Sequence, residues 1–132
     1  MKTKTWIGLS LAGIALTLGA VQTLQAQSVK RVILQRTDLS VPGREVVQGV
    51  AELEPGGATG RHTHPGEEVA YVLEGTLTLE VDGSPPKTYK AGEYFVVPAG
   101  TVHNGKNASG GAVKVLGTWI VEKGKPLASP AS

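Results

Sequence analysis

Residues Gly56–Gly75 read GGATGRHTHPGEEVAYVLEG, and this stretch decides the fold. His62 and His64 stand two residues apart, and Glu68 follows four residues after His64. In an extended chain residues i and i+2 point to the same face. Both imidazoles then project into one interior. Pro65 and Gly66 turn the chain, and Glu68 opens the next strand-like run, VAYVL. A second stretch, Gly92–Asn107 (GEYFVVPAGTVHNGKN), carries His103. The chain has three histidines, and all of them lie in these two stretches.

His62, His64, Glu68 and His103 offer three nitrogens and one oxygen. That donor set suits Fe(II), Mn(II), Co(II), Ni(II), Cu(II) or Zn(II), and disfavours Ca²⁺ and Mg²⁺, which prefer oxygen shells. Four protein ligands on an ion that accepts five or six leave positions for a small molecule. Glu67 neighbours Glu68 and would be the ligand if the register slipped by one, but parity and spacing favour Glu68.

Outward from the centre, alternation dominates. Val29–Arg36 is rich in β-branched residues and reads as a first strand, with a loop over Thr37–Gly43. Arg44–Glu54 places Val47, Gly49, Ala51 and Leu53 on one face, and small residues there imply that something packs close against them. Thr76–Val81 and Ala112–Val121 are further strands, Asp82–Gly83 is a turn, and Tyr94–Val97 is a short strand closed by Pro98. Ser84–Lys90, with two prolines, is an edge or a loop. No window after residue 26 shows a helical period. Short strands with Gly, Pro, Asn and Asp turns predict an all-β barrel or sandwich with two similar halves. Val69–Leu73 is apolar at both parities. Its outward residues, Val69, Tyr71 and Leu73, need cover from within the chain or from a second copy in a homodimer. Tyr71, Tyr94, Phe95 and Trp119 are expected in the core or at an interface, and Arg44 and Gln48 are candidates to reach a substrate carboxylate.

The ends read differently. Lys2 and Lys4 precede an uncharged apolar run, Trp6–Val21, and a polar stretch ending at Ala26. This is the layout of a secretory signal peptide, 1–26, cut after Ala26 or alternatively Ala20. Some 16 apolar residues is short for a membrane span, which takes roughly 20. The expected location is the periplasm or the exterior. Of the 13 basic residues, Lys2 and Lys4 belong to the leader, leaving 11 against 11 acidic ones. A neutral mature chain gives no electrostatic footprint for nucleic acid or an acidic membrane surface. There is no cysteine, so disulfides and thiolate metal sites are excluded. Glu122–Ser132 is small, polar and proline-bearing, and is expected to be a flexible tail, 123–132, after a barrel domain over 27–122.

Both stretches resemble the cupin superfamily. Gly56-x5-His62-x-His64-x3-Glu68-x6-Gly75 matches the first cupin motif at each fixed position, and Gly92-x5-Pro98-x-Gly100-x2-His103-x3-Asn107 matches the second. The chain is similar to the small single-domain members. The resemblance implies a double-stranded β-helix, or jelly roll, with His62, His64, Glu68 and His103 on one divalent metal and frequent dimerisation. Gly56, Gly75, Gly92, Pro98, Gly100 and Asn107 would be structural. It brings three function classes: a metal-dependent dioxygenase acting on a small organic substrate, an isomerase or decarboxylase, and a non-enzymatic metal- or small-ligand-binding protein. No acid/base residue beyond the ligands, apart from Glu67, stands near the motifs, which weakens the second class.

Overall fold

The computed structural model describes residues 29–132, so the leader expected over 1–26 lies outside the described residues. Ten strands and no helix are found among them: β1 (Val29–Asp38), β2 (Arg44–Leu53), β3 (His62–Thr63), β4 (Gly66–Glu74), β5 (Thr76–Val81), β6 (Lys87–Lys90), β7 (Tyr94–Val97), β8 (His103–Lys106), β9 (Val113–Glu122) and β10 (Ser129–Pro130). They form two five-stranded antiparallel sheets, ordered β1-β2-β9-β4-β7 and β10-β3-β8-β5-β6. This is the expected jelly-roll barrel.

Alternation sets the inside. Along β4, Glu68, Ala70 and Val72 are buried while Glu67, Val69, Tyr71 and Leu73 face out. Leu53, Val72, Leu77, Leu79, Phe95, Val97 and Val113 fill the space between the sheets. Truncating a side chain as enclosed as Leu53 to alanine would cost about 2–5 kcal/mol.

Turn chemistry fixes the corners. Gly75, between β4 and β5, has φ 77°, and a Cβ there would lie 2.5 Å from the Ala112 carbonyl oxygen, so only glycine fits. Asn107 is fully buried; its Nδ2 donates to the carbonyls of Leu53 (2.9 Å) and Gly111 (2.7 Å), and its Oδ1 accepts from the Ser109 backbone N–H. Both residues are structural.

The edge reading of Ser84–Lys90 holds, β8 is a strand to which no element was assigned above, and the flexible tail over 123–132 is a correction. Ser84–Lys90 contributes a true edge strand, β6, paired to β5. His103–Lys106 is a strand, pairing with β5 and, through His103, with His62 of β3. The end of the chain is not loosely draped. β10 pairs with β3, the Ala131 N–H donates to the Arg61 carbonyl, and the Arg61 guanidinium donates to the Ser132 carbonyl. Backbone hydrogen bonds to an otherwise open strand edge hold it, a pairing that its side chains do not advertise.

Candidate metal centre

Three elements deliver the four donors. β3 carries His62 and leads into His64, β4 carries Glu68 on its inward parity, and β8 carries His103 opposite His62 in register. One ligand atom from each of the four residues can be chosen so that all lie within 4.8 Å of one another. His64, Glu68 and His103 are buried and His62 is half-buried. Glu67 faces solvent, so parity leaves Glu68 as the carboxylate inside.

The imidazoles are held from behind. His62 Nδ1 lies 2.7 Å from the Gly60 carbonyl oxygen, His64 Nδ1 2.6 Å from that of Leu127, and His103 Nδ1 2.9 Å from that of Thr101. A carbonyl only accepts, so each Nδ1 carries a proton and each Nε2 turns inward. Fixing the far nitrogen is how metal-binding histidines are oriented. At the centre, His62 Nε2 and His64 Nε2 are 3.1 Å apart, and Glu68 Oε2 lies 2.9 Å from His64 Nε2 and 3.0 Å from His103 Nε2. Neighbouring donors on an octahedral ion with bonds of about 2.1 Å stand about 3.0 Å apart. The donor set, its spacing and its outer hydrogen bonds all fit a divalent transition metal.

The electrostatics ready Glu68 and His62 for a metal, whereas His103 must first lose a proton. Burial pushes the Glu68 carboxyl up, but hydrogen bonds from His103 and His64 outweigh it and hold the group down to about 2. Burial lowers His103, yet the hydrogen bond to Glu68 wins and raises it above its usual 6.5. His62 is lowered, by burial first and then by the neighbouring imidazoles, so it resists protonation. A carboxylate and an unprotonated imidazole are the forms that bind metal.

The donors open into a cavity of about 610 Å³, lined mainly by apolar side chains such as Leu77, Leu79, Phe95 and Val115. Trp119 also lines it and donates from Nε1 to His64 Nε2 at 3.1 Å, so it belongs to the site rather than to the core alone. Its aromatic character gave no signal of that role. Leu127, at the end of the chain, was equally invisible, because its contribution is a backbone carbonyl. Arg44 and Gln48 do not reach the cavity. They share the outward face of β2, where Gln48 bonds Gln35 and Thr118. Tyr71 and Tyr94 are exposed on the outer face.

A family model described as "Cupin domain" matches residues 49–121. A germin-like protein (subfamily 2 member 2) of Arabidopsis thaliana is 34% identical over 115 residues, covering 83% of this chain and 46% of that protein. The chain thus spans less than half the length of the curated relatives it matches. Among solved structures, a conserved double-stranded β-helix protein from Klebsiella pneumoniae superposes with a TM-score of 0.62 at 20% identity, covering 77% of this chain and 85% of that one. A recombinant oxalate oxidase in complex with glycolate superposes with a TM-score of 0.63 at 21% identity, covering 85% and 58%. At these identities the two structures establish the fold.

Proposed function

The chain belongs to the cupin family, and on that premise we propose that it is an exported metal-dependent dioxygenase of a small organic substrate. One divalent transition metal is held by His62, His64, Glu68 and His103. When bound, such an ion serves as the Lewis-acid and redox centre at which an organic ligand and O₂ are brought together. The protein's part is to hold three Nε2 atoms and one carboxylate oxygen inward, and to keep the rest of the cavity apolar.

One observation weighs against the isomerase and decarboxylase class, and the experiment below separates the two classes left. Every titratable side chain lining the cavity is either one of the four donors or an arginine, Arg31 or Arg61. An isomerase or decarboxylase that moves protons needs a positioned acid or base beyond the ligands. Glu67, the one such candidate in the motifs, points to solvent. Chemistry that draws on the substrate's own acidity needs no such group.

Export rests on the leader layout of residues 1–26. A homodimer is supported by the outer face of β4 and β7, where Val69, Tyr71, Leu73, Tyr94 and Val96 stay exposed. An apolar face on neighbouring strands is complementary to itself and suits a two-fold interface.

The test is elemental analysis of protein recovered from its own host's periplasm, followed by oxygen uptake with catechols, diketones and flavonols. Iron with oxygen consumption supports the dioxygenase. Zinc or copper with no turnover contradicts it and leaves the non-enzymatic binding role.

A further inference from the structure

The mouth of the cavity has two unlike lips. A residue that lines a cavity and is also exposed stands at its rim. On one side these are Arg31, Val32 and Ile33 of β1, and on the other Ala128 and Pro130, in and beside β10. β1 is paired to β2 along its whole length, from Val29 opposite Leu53 to Asp38 opposite Glu45. β10 has two residues, and they pair only with Thr63 and His62 of β3. Pro130, opposite His62, has no N–H to give to that pairing.

The ends of this second lip differ too. The Lys123 N–H donates to the Gly43 carbonyl, so the chain is tied down to that point. Gly124 follows with φ 79°, and beyond its chain neighbours no heavy atom lies within 4 Å of where a Cβ would stand, which leaves it free to pivot. At the far end the Ala131 N–H donates to the Arg61 carbonyl at 3.0 Å. The Arg61 guanidinium is bonded to both carboxylate oxygens of Asp82, at 2.8 Å each, and turns Nε and Nη2 to the Ser132 carbonyl oxygen at 3.3 and 3.2 Å. Within residues 124–132 only Leu127 and Ala131 are even half-buried. A segment with few buried apolar contacts and exposed backbone bonds is the kind that opens without global unfolding.

We propose that residues 124–132 form a hinged strap, pivoting at Gly124 and latched by Arg61, which opens to admit metal ion and ligand to the cavity and closes to retain them. What the strap admits rests on the metal centre proposed above; that it opens does not. Opening does two things at once. It withdraws one lip of the mouth, and it takes the Leu127 carbonyl away from His64 Nδ1, loosening an imidazole that the metal needs. Closing restores both. Loading and release therefore run through the open form, and the closed form keeps what is bound.

The chain has no cysteine, and Thr63 and Ser129 are register partners, so one engineered pair can lock the strap. Paired positions in antiparallel strands have Cα atoms about 4.5–5.5 Å apart, inside the span of a disulfide. The full chain carrying Thr63→Cys and Ser129→Cys is loaded with cobalt(II), and release to excess chelator is timed with the pair oxidised and then reduced by a non-thiol reductant. The oxidised protein should hold as much cobalt as wild type and release it about tenfold more slowly, and reduction should restore the wild-type rate. Arg61→Ala, which removes the latch, should release cobalt about tenfold faster than wild type, as expected for the loss of hydrogen bonds from a charged donor. This variant carries the kinetic test if the cysteine pair fails to fold. Hydrogen exchange at the Ala131 N–H reads the strap with no metal present. It should be much faster than at Val115 in the central strand β9, and should rise about tenfold in Arg61→Ala with Val115 unchanged. Equal release rates in the oxidised and reduced forms overturn the proposal, as does exchange at Ala131 as slow as at Val115. If wild type takes up no cobalt, the metal-centre reading falls, and the exchange alone decides whether the strap opens.

Discussion

His64 Nδ1 lies 2.6 Å from the carbonyl oxygen of Leu127, a residue 63 positions further along the chain. The last turn of the polypeptide thus sets the orientation of a residue in the first motif. β10 makes this possible by pairing with β3 next to His62. Partners of this kind typically change metal affinity 10- to 100-fold. Deleting Leu127–Ser132 should therefore lower metal affinity by about tenfold or more, measured by competition with a chromophoric chelator. Equal affinity in the shortened chain would show that the contact orients nothing.

Removing a donor should act on metal and stability together. His62→Ala and His103→Ala are each expected to retain less than about a tenth of the metal held by wild type. A site filled at 100 times its dissociation constant adds about 2.7 kcal/mol of stability, which for a domain this size is about 10 °C or more in Tm. Calorimetry of loaded and stripped protein should show that gain in wild type and its loss in both variants. A variant with wild-type metal content by elemental analysis would remove that residue from the ligand set.

The pH dependence of the stripped protein follows from Glu68 and His103. His103 is raised above 6.5 by Glu68, so its contribution is complete below 6.5 and fades as pH rises through its folded value. Glu68 is held down to about 2 from 4.5, so its contribution is complete above 4.5 and is lost as pH falls toward 2. Both are present between 4.5 and 6.5. The stability difference between stripped wild type and His103→Gln should peak in that window and shrink on either side, as read by urea unfolding. A difference that grew steadily above pH 7 would contradict the pairing. Metal uptake near pH 6 should also release a proton, because His103 must give up the one it shares with Glu68.

The outer face predicts assembly. Tyr71 and Tyr94 are register partners, as are Val69 and Val96, and all four are exposed. Tyr71→Glu with Val96→Glu should convert a dimer to a monomer by light scattering, with metal content unchanged because the substituted side chains point away from the cavity. A wild type that is already monomeric at micromolar concentration would refute the interface.

The sequence was readable where side chains follow a period. Alternation along Arg44–Glu54 and Glu68–Glu74 gave the barrel interior, and it separated Glu68 from Glu67. The two-residue spacing of His62 and His64 put both rings on one face, where their Nε2 atoms stand 3.1 Å apart. The small residues on the inward face of β2 signalled a close neighbour, and the indole of Trp119 meets Gly49 there. Other features left no such trace. β8 is four residues, HNGK, with no β-branched residue, and its pairing comes from its neighbours rather than its composition. The ordered end of the chain is held mainly through backbone groups, which every residue carries alike. Trp119 reads as core by type alone, and only its three-dimensional neighbours place it beside His64.

The most direct test is a crystal of the metal-loaded protein examined by anomalous scattering at the metal's absorption edge. The account predicts one peak per chain, about 2.2 Å from His62 Nε2, His64 Nε2, His103 Nε2 and a Glu68 carboxylate oxygen. A loaded crystal whose only peak lies elsewhere, with these four side chains still bonded to one another, would contradict it.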